Sequence, residues 1–229
     1  QEFDAYGSAV QRGLDRIRVI KQEMHSINLG GTAIGTCVNA DREYYFRICN
    51  ELSTLTGISF DHCDDLIDGT QNIDSFAALS GAIKDSAITL SKIANDLRLL
   101  SSGPKTGIAE ILLPAKQNGS SIMPGKVNPV IPEVVSQAAF KVIGNDVTIS
   151  YAAEAGQLEL NAFEPVVFYS LFQSIDLMTN AVNTFRINCI DGILACEDRC
   201  EELLNGSVGI VTALNPIIGY QKAAALAKE

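Results

Sequence analysis

Apolar residues first recur along the chain as Phe3, Tyr6, Val10, Leu14, Ile17, Ile20 and Met24, at steps of three and four. That spacing puts them on one face of a helix. Residues 28–36 break the pattern with three glycines in nine positions, and a helix over 41–57 is expected next, stopped by Gly57. Phe76, Leu79, Ile83, Ser86, Leu90, Ile93, Leu97 and Leu100 then alternate steps of three and four without a slip. This is the 3.5-residue seam of a helical bundle, with Ser86 its one polar member. Gly103-Pro104 ends it.

An irregular stretch runs to Pro129, followed by two long expected helices over 130–154 and 157–188. Only Glu164, Asp176 and Arg186 are charged between Asn161 and Ile187, so the second helix has to be surrounded, by its own core or by other subunits. After Gly192 the pattern changes to short helices and turns, at Asn205-Gly206, Asn215-Pro216 and Gly219. Strand signals are nearly absent. The expected fold is all-α, with a central helical-bundle domain over 1–191 and the start of a small C-terminal helical domain over 192–229.

Composition narrows the function. The 229 residues are 47% hydrophobic and 19% charged, with a formal net charge of -10. Phosphate binding needs a basic footprint, so nucleic acid is excluded as a partner. The uncharged run from Pro165 to Ile175 falls well short of the roughly 20 residues a membrane-spanning helix needs, so no membrane is expected. Six cysteines with no Cys-x-x-Cys pair read as reduced thiols of a cytoplasmic protein. Cys196 and Cys200, at i and i+4, are the one pair that could hold a metal in principle; no metal or cofactor is expected. His25 and His62 read as structural. Gln1 in place of an initiator Met, and an uncapped helical run at the other end, suggest an internal piece of a longer chain.

Candidate chemistry is concentrated in residues 119–129, Gly-Ser-Ser-Ile-Met-Pro-Gly-Lys-Val-Asn-Pro. Two hydroxyls, an ammonium and an amide lie between glycines, just before a helix. Asn128 followed by Pro129 is a good cap and first-turn pair. Ile131 before Pro132 is biased away from α, which leaves Pro132 as an alternative start for that helix. The N–H groups of a helix start attract anions, and Lys126 adds a full positive charge. The residues by themselves fit either a carboxylate- or phosphate-binding lid or a plain helix-capping connector.

This segment matches, at every fixed position, the Gly-Ser-Ser-x-x-Pro-x-Lys-x-Asn loop of the aspartase/fumarase superfamily. The chain resembles that family along its whole length, including residues 28–36, 95–104 and 141–146. Residues 132–135, 152–158 and 205–212 are more similar to aspartases than to class II fumarases. The resemblance implies a tetrameric helical core, in which this chain holds an incomplete five-helix bundle. It also implies anti elimination of ammonia from L-aspartate to give fumarate, with fumarase or a non-catalytic helical scaffold as alternatives.

Carried over, Ser120 is the proton-abstracting base. Ser121, Ile122 and Met123 bind substrate through loop N–H groups, though Ser121 is equally read as only shaping the turn. Lys126 and Asn128 hold a substrate carboxylate. Glu133 supports a substrate-binding histidine, or is only a favourable charge at a helix start. The partners implied are a small dicarboxylate and three further copies of the chain, with active sites shared between subunits. Of three site-forming regions only the Ser120 loop is present, so the chain alone is expected to be inactive.

Overall fold

The computed structural model describes residues 1–117, 119, 122–123 and 125–227. In chain order its helices are α1 (Glu2–Lys21), α2 (Arg42–Thr56), α3 (Asp68–Gln71), α4 (Asp74–Leu100), α5 (Val130–Glu154) and α6 (Glu164–Asn188). Four short ones follow: α7 (Glu197–Asn205), α8 (Gly209–Thr212), α9 (Asn215–Ile218) and α10 (Tyr220–Leu226). Among the described residues strand is confined to two-residue pieces. β1 (Ser26–Ile27) runs parallel to β2 (Asp61–His62), and β3 (Ile111–Leu112) antiparallel to β4 (Leu194–Ala195). The fold is all-α. Internal contacts divide the chain into two units, one of Gln1–Ala94 with Glu133–Thr184 and one of Asn95–Pro132 with Phe185–Glu229.

Helix boundaries in the first unit follow local chemistry. Asp41 caps α2 by accepting from the Glu43 and Tyr44 N–H groups at 2.8 and 3.1 Å, and Gly57 ends it with φ +71°. The helix expected from residue 157 instead starts at Glu164. Asn161, 2% exposed, donates through Nδ2 to the Ala152 and Ala153 carbonyls. Its Oδ1 accepts the Phe163 N–H at 2.8 Å. One side chain thus satisfies the carboxyl end of α5 and turns the chain into α6.

The core of this unit is built by α4, α5 and α6 around Ile83, Ala87, Ala139, Val142, Ile149, Val167 and Leu171. The expected seam faces inward, but the deepest row on α4 is partly a different one. Ser80 (2% exposed), Ala87 (0%) and Ala94 (0%) lie deeper than Phe76, Leu79 or Leu90, which are only half-buried. Ser91 Oγ donates across to Ser136 Oγ at 3.3 Å, and Phe76 meets Phe168 edge to face at 5.1 Å.

A polar layer crosses this core. Lys84 Nζ lies 2.6 Å from Asp146 Oδ2, and Ser80 donates to the other carboxylate oxygen at 2.8 Å. Next along α5, Asn145 donates to the Ser170 carbonyl and to Ser174 Oγ, and accepts from Lys141. Buried groups that bond only in one alignment fix the register of helices that hydrophobic packing alone leaves loose. The opposite faces of α5 and α6 expose Phe140, Tyr151, Tyr169 and Phe172. Among the described residues no helix is long and apolar enough to cross a membrane.

Candidate active site

The loop before α5 is closed on itself. Gly125 takes φ +80°, and Lys126 N–H donates to the Met123 carbonyl at 3.2 Å, a tight turn that needs a glycine. Asn128 Nδ2 reaches back to the Gly119 carbonyl at 3.3 Å. Gly119 itself lies so close to the Lys126 backbone that any Cβ there would overlap the Lys126 carbonyl. Glycine at 119 is therefore a steric requirement.

Of the expected site residues, Lys126 and Asn128 both border Gly119, the first through its backbone and the second through its side-chain amide. Lys126, Ile122 and Met123 are exposed, Ile122 at 86%, and Asn128 is half-buried. Ser120 and Ser121, expected as base and substrate ligand, lie outside the described residues. Glu133 is half-buried in the first turn of α5, and its carbonyl accepts from Gln137.

Of the two starts open to this helix, residue 130 and Pro132, the structure takes the first, and this matters for charge. α5 begins at Val130 rather than Pro132. Pro132 therefore falls inside the first turn, where its missing N–H would have no intrahelical partner anyway. The Val130 N–H turns back to the Asn128 carbonyl at 2.9 Å. Two of the first four positions thus offer no N–H to a ligand, and the Glu133 carboxylate offsets part of the helix's positive end. What positive charge an anion meets in this loop comes mainly from Lys126.

The glycine-rich segment 28–39 is a second unusual loop, in the first unit. Gly30, Thr32, Gly35, Cys37 and Asn39 all have positive φ, and a Cβ on Gly35 would overlap the backbone of Leu66 and Ile67. Asn28 Nδ2 donates to Thr70 Oγ1 at 3.2 Å. His62 Nε2 lies 2.9 Å from the Leu29 carbonyl, with its ring stacked on Tyr45 at 4.1 Å. These contacts hold the His62 ring against the loop. Holding three non-glycine residues left-handed costs about 1 kcal/mol or more each, and the motif gave no residue-level reason for it.

The thiols are all unpaired with one another. Burial pushes Cys189 up to about 11 and also raises Cys49 and Cys63 above the ordinary thiol value. No cluster of three or more metal-ligating side chains occurs among the described residues.

A scaffold of long helices and a loop in which Gly119 meets Lys126 and Asn128 agree with the aspartase/fumarase resemblance of the sequence. The chain belongs to this family: the family model described as Lyase matches residues 1–144. It is 51% identical over all 229 residues to an aspartate ammonia-lyase from Bacillus sp, and 52% identical to one from Pseudomonas aeruginosa. It covers 49% and 48% of those two proteins, so the chain spans about half the length of the curated relatives it matches. A Brucella melitensis structure described as fumarate lyase:delta crystallin superposes with TM-score 0.95 at 46% identity. A class II fumarase from Schistosoma mansoni superposes with TM-score 0.96 at 32% identity. All of this chain is covered in both superpositions, with 50% and 51% of the respective partners.

Proposed function

We propose that the complete protein removes ammonia from L-aspartate by anti elimination, giving fumarate. The observation that carries this reading is identity of about half over the full 229 residues to proteins named aspartate ammonia-lyase, together with the intact loop from Gly119 to Asn128. The difficult step is taking a C3 proton beside a carboxylate, because the resulting dianionic carboxyl group is poorly stabilised by water. A base must stand at C3 with donors preorganised around that carboxylate. Ser120 is the base in this proposal and Ser121, with the N–H groups of Ile122 and Met123, supports the developing charge. Lys126 supplies a cation. The Asn128 amide has two donor hydrogens; one is directed at Gly119, and the other is offered to the substrate carboxylate. Glu133 orients a substrate-binding histidine.

The reading extends to the assembly. The protein is a cytoplasmic homotetramer with active sites shared between subunits, and the exposed aromatic rows of α5 and α6 are surfaces suited to such packing. A central helical domain over 1–191 and a small C-terminal one from 192 complete it. The fumarase superposition favours one alternative, hydration of fumarate to L-malate. Following the ultraviolet absorbance of fumarate when the complete protein meets L-aspartate or L-malate separates the two. Absorbance rising with malate alone refutes the aspartate reading, and full activity in Ser120→Ala removes the base assignment.

A further inference from the structure

The stretch bearing Lys126 and Asn128 has two ends, residues 108–114 and 129–132, and one short piece of chain holds them. Leu113 and Pro114 from the incoming end, Pro129 and Pro132 from the outgoing end, and Cys189 wall a crevice with no room for a water molecule. The ends therefore stand beside one another. Along the incoming end, Ile111 pairs with Ala195 and Leu112 with Leu194. Cys196 N–H donates to the Glu110 carbonyl at 2.8 Å. Arg199 Nε donates to the Ile108 carbonyl at 3.1 Å and is itself oriented by Glu202 at 2.6 Å. Gly192 completes the grip: a Cβ there would stand 2.6 Å from Pro114 Cγ.

We propose that Gly192 is a positioning residue for the reaction. The segment from Cys189 to Cys200 acts as a clamp that sets the spacing of the two loop ends, and with it the place where Lys126 and Asn128 meet a dicarboxylate. This rests on the function proposed above. A proline ring can only repucker, so a methyl group at 192 pushes Pro114 and the incoming end aside by several tenths of an ångström. Misplacing binding groups by about 1 Å costs on the order of a hundredfold in rate, and a smaller shift costs correspondingly less.

The test uses the complete protein with Gly192→Ala, Pro114→Ala and both together. Gly192→Ala is expected to raise KM for L-aspartate and the fumarate dissociation constant in parallel, each about tenfold. The double variant, lacking the ring that collides, returns close to Pro114→Ala alone. A purely structural glycine would lower the melting temperature and leave the fumarate affinity of the folded protein unchanged, which overturns the proposal. If Gly192→Ala does not fold, Arg199→Gln removes the bond to Ile108 without adding bulk. The same parallel rise is then expected, and its absence is equally decisive. Amide hydrogen exchange at Lys126 and Asn128 reads the displacement without substrate, so unchanged exchange in these variants overturns the clamp whatever the protein turns over. Wild-type protein inert towards aspartate and fumarate counts against the function reading instead.

Discussion

Asp146 is the most consequential charge in the helical core. Its side chain is 7% exposed, while that of its partner Lys84 is 34% exposed. Removing one member of a buried pair typically costs about 3–5 kcal/mol, because the other is left charged and unpaired. Asp146→Ala leaves behind an ammonium one-third in water, which recovers part of its hydration. Ser80 can turn its hydroxyl to its own helix's backbone. The expected loss is therefore about 2–3 kcal/mol. Lys84→Met leaves the carboxylate stranded with only Ser80, and the expected loss is the full range of about 3–5 kcal/mol. Replacing both, Asp146→Leu with Lys84→Met, is expected to come within about 1 kcal/mol of the parent protein. Urea midpoints at constant m-value measure all three. The reasoning is wrong if Asp146→Ala costs under about 0.5 kcal/mol, as a surface pair would, or if Lys84→Met proves the milder change.

Gly35→Ala meets backbone on top of an unfavourable φ and is expected to cost more than about 3 kcal/mol, whereas Gly57→Ala, with open space around it, costs about 1 kcal/mol; equal thermal shifts would contradict this. Cys189 has a folded-state pKa raised to about 11 from the ordinary 9.0, so its contribution is complete below pH 9 and is lost as pH rises towards 11. Alkaline unfolding titrations are therefore expected to lose stability in that window less steeply in Cys189→Ala than in the parent. Lys126→Met is expected to lower kcat/KM on aspartate by about 10²–10³ without moving the melting temperature, since the side chain is exposed; loss of stability instead would make Lys126 a structural residue.

The long helices could be read in the sequence because their apolar spacing is regular and their stops are explicit, as at Asp41 and Gly57. The seam on α4 was legible as a direction but not as a depth. Large residues dominate a hydrophobicity reading, while Ser80, Ala87 and Ala94, among the most deeply buried positions of this helix, are ones that reading ignores. The start of α6 was placed seven residues early. Residues 157–163 are apolar enough to pass for helix, and the turn signals were Asn161 and Pro165, whose meaning depends on Asn161 reaching back to α5. Lys126 and Asn128 were legible as a cation and an amide beside a helix start, and the motif added their role towards a substrate. What the motif could not supply was the return of Asn128 to Gly119, or the use of Val130 and Pro132 to spend the helix start on the loop itself. Both are properties of backbone geometry.

The alternation of left-handed residues through 30–39 also limits how this protein can change. Threonine, cysteine and asparagine occupy three positions where glycine is sterically preferred, so Asn39→Gly relieves strain while adding freedom to the unfolded chain, and the two effects nearly cancel. Gly35 has no such latitude. A library randomised at 32, 35, 37 and 39 should therefore return glycine alone at 35 and small residues at the other three, which makes the loop a poor target for grafting and a sharp one for judging whether a distant homologue shares this architecture.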